Sequence, residues 1–161
     1  ELYSEMDRQT AELREATGLY CIPGCGQCCE SASPEVMVIE LLPAAEELFS
    51  RGEARPWLER VASIRGAERC VFFQPDPLIP GKGRCLLYLF RPSVCRLFPF
   101  AASKNKHGKF ELVMCHPLKR ERPLSVKAAQ EALSEGLAVP SFDSFSIKVC
   151  LLYTSPSPRD S

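Results

Sequence analysis

Net charge and long apolar runs are both missing from this chain. Lys+Arg and Asp+Glu are balanced at 20 each, so nothing in the charge favours a polyanion such as nucleic acid. No apolar run approaches the ~20 residues that a membrane-crossing helix needs. No signal-peptide pattern opens the chain. Histidine is nearly absent: His107 and His116 are the two in 161 residues. That leaves no triad-like pattern for nucleophilic or general-base catalysis. No internal repeat and no linker interrupt residues 1–149. The expectation is a cytoplasmic protein without a nucleic-acid or membrane partner. A protein partner and an enzymatic activity both stay open. The first residue is Glu1 rather than Met, so further residues upstream are expected.

Cysteine is what the chain has in excess. Four of its nine cysteines fall in the run Cys21-Ile22-Pro23-Gly24-Cys25-Gly26-Gln27-Cys28-Cys29, and Cys70, Cys85, Cys95, Cys115 and Cys150 follow singly. Thiolates are soft, charged ligands, and such crowding is favourable when a cation sits between them. A disulfide framework would suit a secreted chain better than this one. Setting Cys150 aside leaves Cys21, Cys25, Cys28, Cys29, Cys70, Cys85, Cys95 and Cys115, a number that divides into two four-ligand sites. Cys25-Gly26-Gln27-Cys28 is the one knuckle with two intervening residues. Zinc modules usually carry two, or one with a paired-histidine motif. The site must therefore be assembled by the fold, and both an iron–sulfur cluster and Zn2+ remain open as cofactor. Gly24 and Gly26 suit positive φ and can turn N–H groups toward sulfur. Arg69, Arg84, Arg91 and Arg96 lie near cysteines in sequence and can offset thiolate charge, Arg91 and Arg96 above all. Pro92 fixes φ and biases Arg91 toward an extended backbone, presenting Cys95 from a rigid turn. Adjacent side chains diverge, so Cys28 and Cys29 need not serve one ion. Phe72, Phe73, Phe90, Phe98 and Phe100 are expected to wrap the sulfurs in a dry shell.

The remaining pattern predicts an α+β, small, loop-rich single domain organised around the cysteine cluster. A helix is expected over 2–16, its apolar stripe thin and its stop at Gly18. Val36, Val38 and Ile39 suit a short strand or the start of a helix. Pro43 opens a helix to Arg51 and Pro56 another to Arg65, ending at Gly66, with Trp57, Val61 and Ile64 as core. Apolar runs at 70–73 and 85–90 flank the loop Gln74 to Gly83. A turn at Lys104 to Gly108 precedes a strand over Lys109 to Cys115, which would send His116 to the face opposite Cys115. Ser125 caps a helix over 126–135.

Cys-x3-Cys-Gly-x-Cys-Cys, then Cys70-Val-Phe-Phe-Gln-Pro-Asp-Pro, then Gly-Arg-Cys85-x2-Tyr-x2-Arg91-Pro92-x2-Cys95-Arg96-Leu97-Phe98 together resemble the YkgJ-type cysteine-cluster family, over about 18 to 116. Cys115 matches that family's last cysteine. The resemblance implies a bacterial, cytoplasmic protein with a zinc- or iron-chelating domain, and says little about a reaction. Cys21-x3-Cys25-x2-Cys28 also has the spacing of the radical S-adenosylmethionine cluster loop. Gln27 stands where those enzymes carry an aromatic residue, and the chain is short for their partial barrel. The functional expectation is a cysteine-ligated metal-binding protein, iron–sulfur or zinc, with a redox link. The alternatives are a structural zinc module for protein contacts and an iron–sulfur oxidoreductase of unknown substrate.

Three segments are expected: an N-terminal helix over 1–17, the metal-binding domain over 18–149, and a disordered tail over 150–161. Cys150 to Asp160 resembles the translation of a transposase-type sequencing-library adapter, which marks the tail as an artefact to be set aside from fold reasoning.

Overall fold

The computed structural model describes residues 1–30, 34–65 and 69–154. Helices α1 (Leu2–Thr17), α2 (Leu42–Ser50) and α3 (Ala54–Ser63) come first. The hairpin of β1 (Phe73–Pro75) and β2 (Gly83–Cys85) follows, then the short α4 (Ser93–Leu97). A second hairpin, β3 (Ala102–Lys104) and β4 (Phe110–Leu112), leads to α5 (His116–Glu121), α6 (Pro123–Ser134) and α7 (Phe142–Thr154). Both hairpins are separate two-stranded antiparallel sheets, so the fold class is α+β, as the sequence predicts. Among the described residues no helix is long and apolar enough to cross a membrane. The chain divides into two compact units, Glu1–Cys21 with Arg96–Ser161, and Ile22–Cys95.

In the first unit α1 packs against α6, and α7 against β3. The buried positions of α1 are Met6, Thr10, Leu13 and Thr17, one seam at helical spacing. Threonines at two of the four make the stripe look thin in sequence. Thr17 turns its hydroxyl back to the Leu13 carbonyl at 2.7 Å, so it enters the seam without an unsatisfied oxygen. Gly18 ends the helix at φ 65, its N–H on the Arg14 carbonyl at 2.9 Å. Arg96 is buried here, paired with Asp7 at 2.6 Å and lying over the Tyr3 ring. Lys148 of α7 reaches Glu5 of α1 at 2.6 Å.

Several expectations for this unit change. Residues 109–115 form a strand only over Phe110–Leu112. Cys115 is the N-cap of α5, and His116, exposed, is that helix's first residue rather than a strand neighbour. α6 starts at Pro123, which is tolerated in a first turn because the missing N–H would have no partner there. α7 continues through Cys150 to Thr154, so disorder does not begin at residue 150. The expected disorder of 155–161 lies outside the described residues.

In the second unit Ala44, Leu48 and Leu87 form a buried cluster, with Trp57, Phe72, Cys85 and Phe90 packed against it. Val38–Leu41 is a 3-10 turn leading into α2, which decides the strand-or-helix ambiguity of that segment. α3 buries no residue, and Val61 is 49% exposed. Only Trp57 of its expected core face meets the cluster closely, its ring centroid 5.1 Å from that of Phe72. The expected stop at Gly66 lies outside the described residues.

The hairpin β1–β2 pairs Phe73 with Cys85 and Pro75 with Gly83. Gly83 has no room for a side chain: a Cβ would stand 2.4 Å from the Phe73 ring and 2.6 Å from the Gln74 carbonyl oxygen. Gly26, at φ +64, faces the same ring, with 2.5 Å to a hypothetical Cβ. Gly24 shares φ +64 but has nothing within 4 Å. Gly24→Ala should therefore cost only the left-handed backbone strain, about 1–2 kcal/mol. Gly26→Ala should cost roughly 1–3 kcal/mol more through overpacking. Urea denaturation of the two variants checks this; equal losses would show that the contact with Phe73 is not constraining.

Candidate metal centre

Six of the eight sequence-predicted ligands, Cys25, Cys28, Cys29, Cys70, Cys85 and Cys95, lie in the Ile22–Cys95 unit. Their loop is built by backbone rules. Gly24 and Gly26 both take φ 64, reversing the chain twice within three residues, a conformation that glycine adopts without Cβ strain. Gln27–Cys29 then forms one 3-10 turn, with the Cys29 N–H on the Gly26 carbonyl at 2.9 Å. Two backbone hydrogen bonds tie this turn to later chain. The Gly83 N–H donates to the Gly24 carbonyl at 3.0 Å, and the Cys70 N–H donates to the Cys29 carbonyl at 3.0 Å. The cysteine loop thus lies along both the start of β2 and the segment that precedes β1.

The sulfurs of Cys28 and Cys29 are 4.0 Å apart. Successive side chains on a 3-10 turn are separated by about a third of a revolution rather than the half of a strand, so the divergence expected for this pair does not occur. Cys85 is close enough to act, with Cys28, on the ionisation of Cys29. The Cys29 thiol bears on both neighbours, and this sets the ionisation of all three. The Cys29 hydrogen bond holds Cys28 down at about 6 and Cys85 down at about 7, with the Arg91 guanidinium assisting at both. Cys29 itself is driven strongly upward, because ionising it would forfeit both bonds. Burial, then the charge on Cys28, pushes Cys95 up to about 11. Burial also raises Cys70. The backbone at Leu87 and Phe72 favours the thiolate forms of Cys85 and Cys70, as N–H groups facing sulfur do.

Arg91 is the guanidinium that bears on Cys28, Cys85 and Cys95. Its backbone is extended, φ −65 and ψ 143, as Pro92 requires. Nε donates to the Tyr88 carbonyl at 2.8 Å and Nη1 to the Cys95 carbonyl at 2.9 Å, and the group lies 3.7 Å from the centre of the Tyr88 ring. The other arginines have different partners. Arg69 pairs with Glu30 at 3.5 Å, Arg84 donates to Gln74 at 3.0 Å, and Arg96 is held by Asp7 in the first unit. Arg96, also expected to help bind the cofactor, is engaged with Asp7 and the Tyr3 ring. Cys95 sits on α4 rather than in an isolated turn. Of the expected phenylalanine shell, Phe72 and Phe90 pack on the cluster that includes Cys85, and Phe73 lies between the two glycines; Phe98 and Phe100 belong to the first unit.

Cys21 and Cys115 also belong to the first unit. Cys150 is exposed on α7. Among the described residues no disulfide joins the cysteines, and no three Cys, His, Asp or Glu side chains already converge tightly enough to hold an ion. The donor set nevertheless fits a thiophilic cation. Two thiolates on one tetrahedral zinc, at Zn–S about 2.3 Å, stand roughly 3.8 Å apart, close to the 4.0 Å of Cys28 and Cys29.

The model of the CxxCxxCC family, described as a putative zinc- or iron-chelating domain, matches residues 20–116. No curated protein and no solved structure shows significant similarity to the chain.

Thiolate, not thiol, is the alkylated species. In metal-free reduced protein at pH 7, iodoacetamide should label Cys28 and Cys85 well ahead of Cys70 and Cys95, by peptide mass spectrometry. Arg91→Gln should slow labelling of Cys28 and Cys85 by raising both. Labelling of Cys95 first would contradict the charge distribution described.

Proposed function

The chain belongs to the CxxCxxCC family of putative zinc- or iron-chelating domains, and on that premise we propose that its Ile22–Cys95 unit holds one zinc or ferrous ion between cysteine thiolates. The ligands come from Cys25, Cys28, Cys29, Cys70, Cys85 and Cys95. The observation that carries this reading is the 4.0 Å approach of the Cys28 and Cys29 sulfurs, with Cys85 close enough to bear on the ionisation of Cys29. That spacing suits two thiolates on one ion. Four thiolates around a divalent cation leave net negative charge, which Arg91 offsets. Zinc would supply no redox chemistry, only cross-linking of the loop to β2 and α4. The protein then acts as a metal-stabilised module.

An iron–sulfur cluster is the second reading. It is favoured by the number of cysteines in the unit, more than one ion needs, and by the N–H donors at Cys70 and Cys85. A redox role would come with it.

Anaerobic purification followed by metal analysis and absorption spectroscopy separates the two. The single-ion reading expects about one zinc or iron per chain and no broad band near about 400 nm that bleaches on reduction; such a band is the mark of sulfide-bridged iron. Metal binding free energy becomes folding free energy. Chelation should therefore lower the melting temperature by about 10 °C or more, at roughly 2–4 °C per kcal/mol for a chain of this size. Cys28→Ser and Cys85→Ser should lose the metal, and Cys150→Ser should keep it. An unchanged melting curve after verified metal removal would reject the proposal.

A further inference from the structure

We propose that Glu40 is a positioning residue of this centre, its buried carboxylate fixing the start of α4 and thereby the place from which Cys95 offers its sulfur. The inference rests on the metal site proposed above, with Cys95 as one of its ligands.

Glu40 is 7% exposed, which is rare for a glutamate unless its oxygens are satisfied. One oxygen accepts the Met37 N–H at 2.8 Å, within the same turn. The other accepts the Ser93 N–H at 2.9 Å and the Ser93 hydroxyl as well. Chain segments 53 residues apart therefore converge on one carboxylate. Ser93 is the first residue of α4, so its N–H has no acceptor within the helix. Cys95 follows two residues on. Its N–H is held by the Pro92 carbonyl at 3.0 Å, and its own carbonyl takes Nη1 of Arg91 at 2.9 Å. Glu40 acts on the front of this short helix and Arg91 on the Cys95 peptide itself. Hydrogen bonds to an ionised carboxylate are shorter and stronger than neutral ones, so the Ser93 peptide has little freedom to shift. Glu40 thus works through the backbone of α4 and is not itself placed as a ligand. Supporting groups of this kind typically change metal affinity about 10–100-fold when removed.

The test uses the full chain and Co2+ as a spectroscopic probe, with Zn2+ competition to measure affinity. Glu40→Ala should lower Zn2+ affinity about 10–100-fold. At saturating Co2+ it should also reduce the thiolate-to-cobalt charge-transfer intensity toward that of Cys95→Ser. Glu40→Gln, which keeps an acceptor for Ser93, should recover most of that intensity. Ser93→Ala, which removes only the hydroxyl, should give a smaller change in the same direction. Wild-type affinity and intensity in Glu40→Ala, alongside clear loss in Cys95→Ser, would overturn the role of Glu40 while leaving the metal site standing. An unchanged spectrum in Cys95→Ser would instead remove Cys95 from the ligand set, and the proposal with it. Should Glu40→Ala fail to fold, Ser93→Ala decides: affinity and intensity equal to wild type overturn the proposal.

Discussion

Two backbone hydrogen bonds hold the cysteine loop in place, and everything at the centre depends on them. The Gly83 N–H meets the Gly24 carbonyl, and the Cys70 N–H meets the Cys29 carbonyl. Neither contact forms unless the loop backbone can lie close to the hairpin. That closeness requires Gly26 and Gly83 to present no side chain to the Phe73 ring. The steric demand is local, yet its effect is long-range. It brings Cys28 and Cys29 beside Cys85, more than fifty positions further along the sequence.

Once the sulfurs are close, electrostatics takes over. Three thiols cannot ionise together in a half-buried site at little cost, so Cys29 keeps its proton and charge settles on Cys28 and Cys85. Arg91 is oriented by two carbonyls and an aromatic face to meet that charge. A divalent cation would replace the Cys29 proton and offset the burial and the repulsion that raise Cys70 and Cys95. The same features that make the thiol cluster uncomfortable make it a good ligand set.

The cysteine spacing, the two turn glycines, the Arg91-Pro92 step and the helices over α1 and α2 were legible because each is a local signal. Gly18, Pro43 and Pro92 act on their immediate neighbours, and so sequence suffices to read them. What escaped was set by tertiary contact. Nothing near Glu40 indicates that Ser93 will come to it, and nothing near Arg96 indicates Asp7 as its partner. α4 is too short for a periodicity to show. α5 was hidden because Cys115-His116 extended an apolar strand-like run, and Pro117, in its first turn, reads equally well as a strand breaker. Cys28 and Cys29 were expected to diverge because the turn that carries them has no signature beyond Gly26.

X-ray absorption at the edge of the bound metal, on protein purified anaerobically without added metal, tests the central claim most directly. A first shell made only of sulfur, near the about 2.3 Å expected for zinc–thiolate bonds, with no metal–metal scattering beyond it, is the predicted result. A shell dominated by nitrogen or oxygen would contradict the thiolate site, and a metal–metal vector would replace the single ion with a cluster.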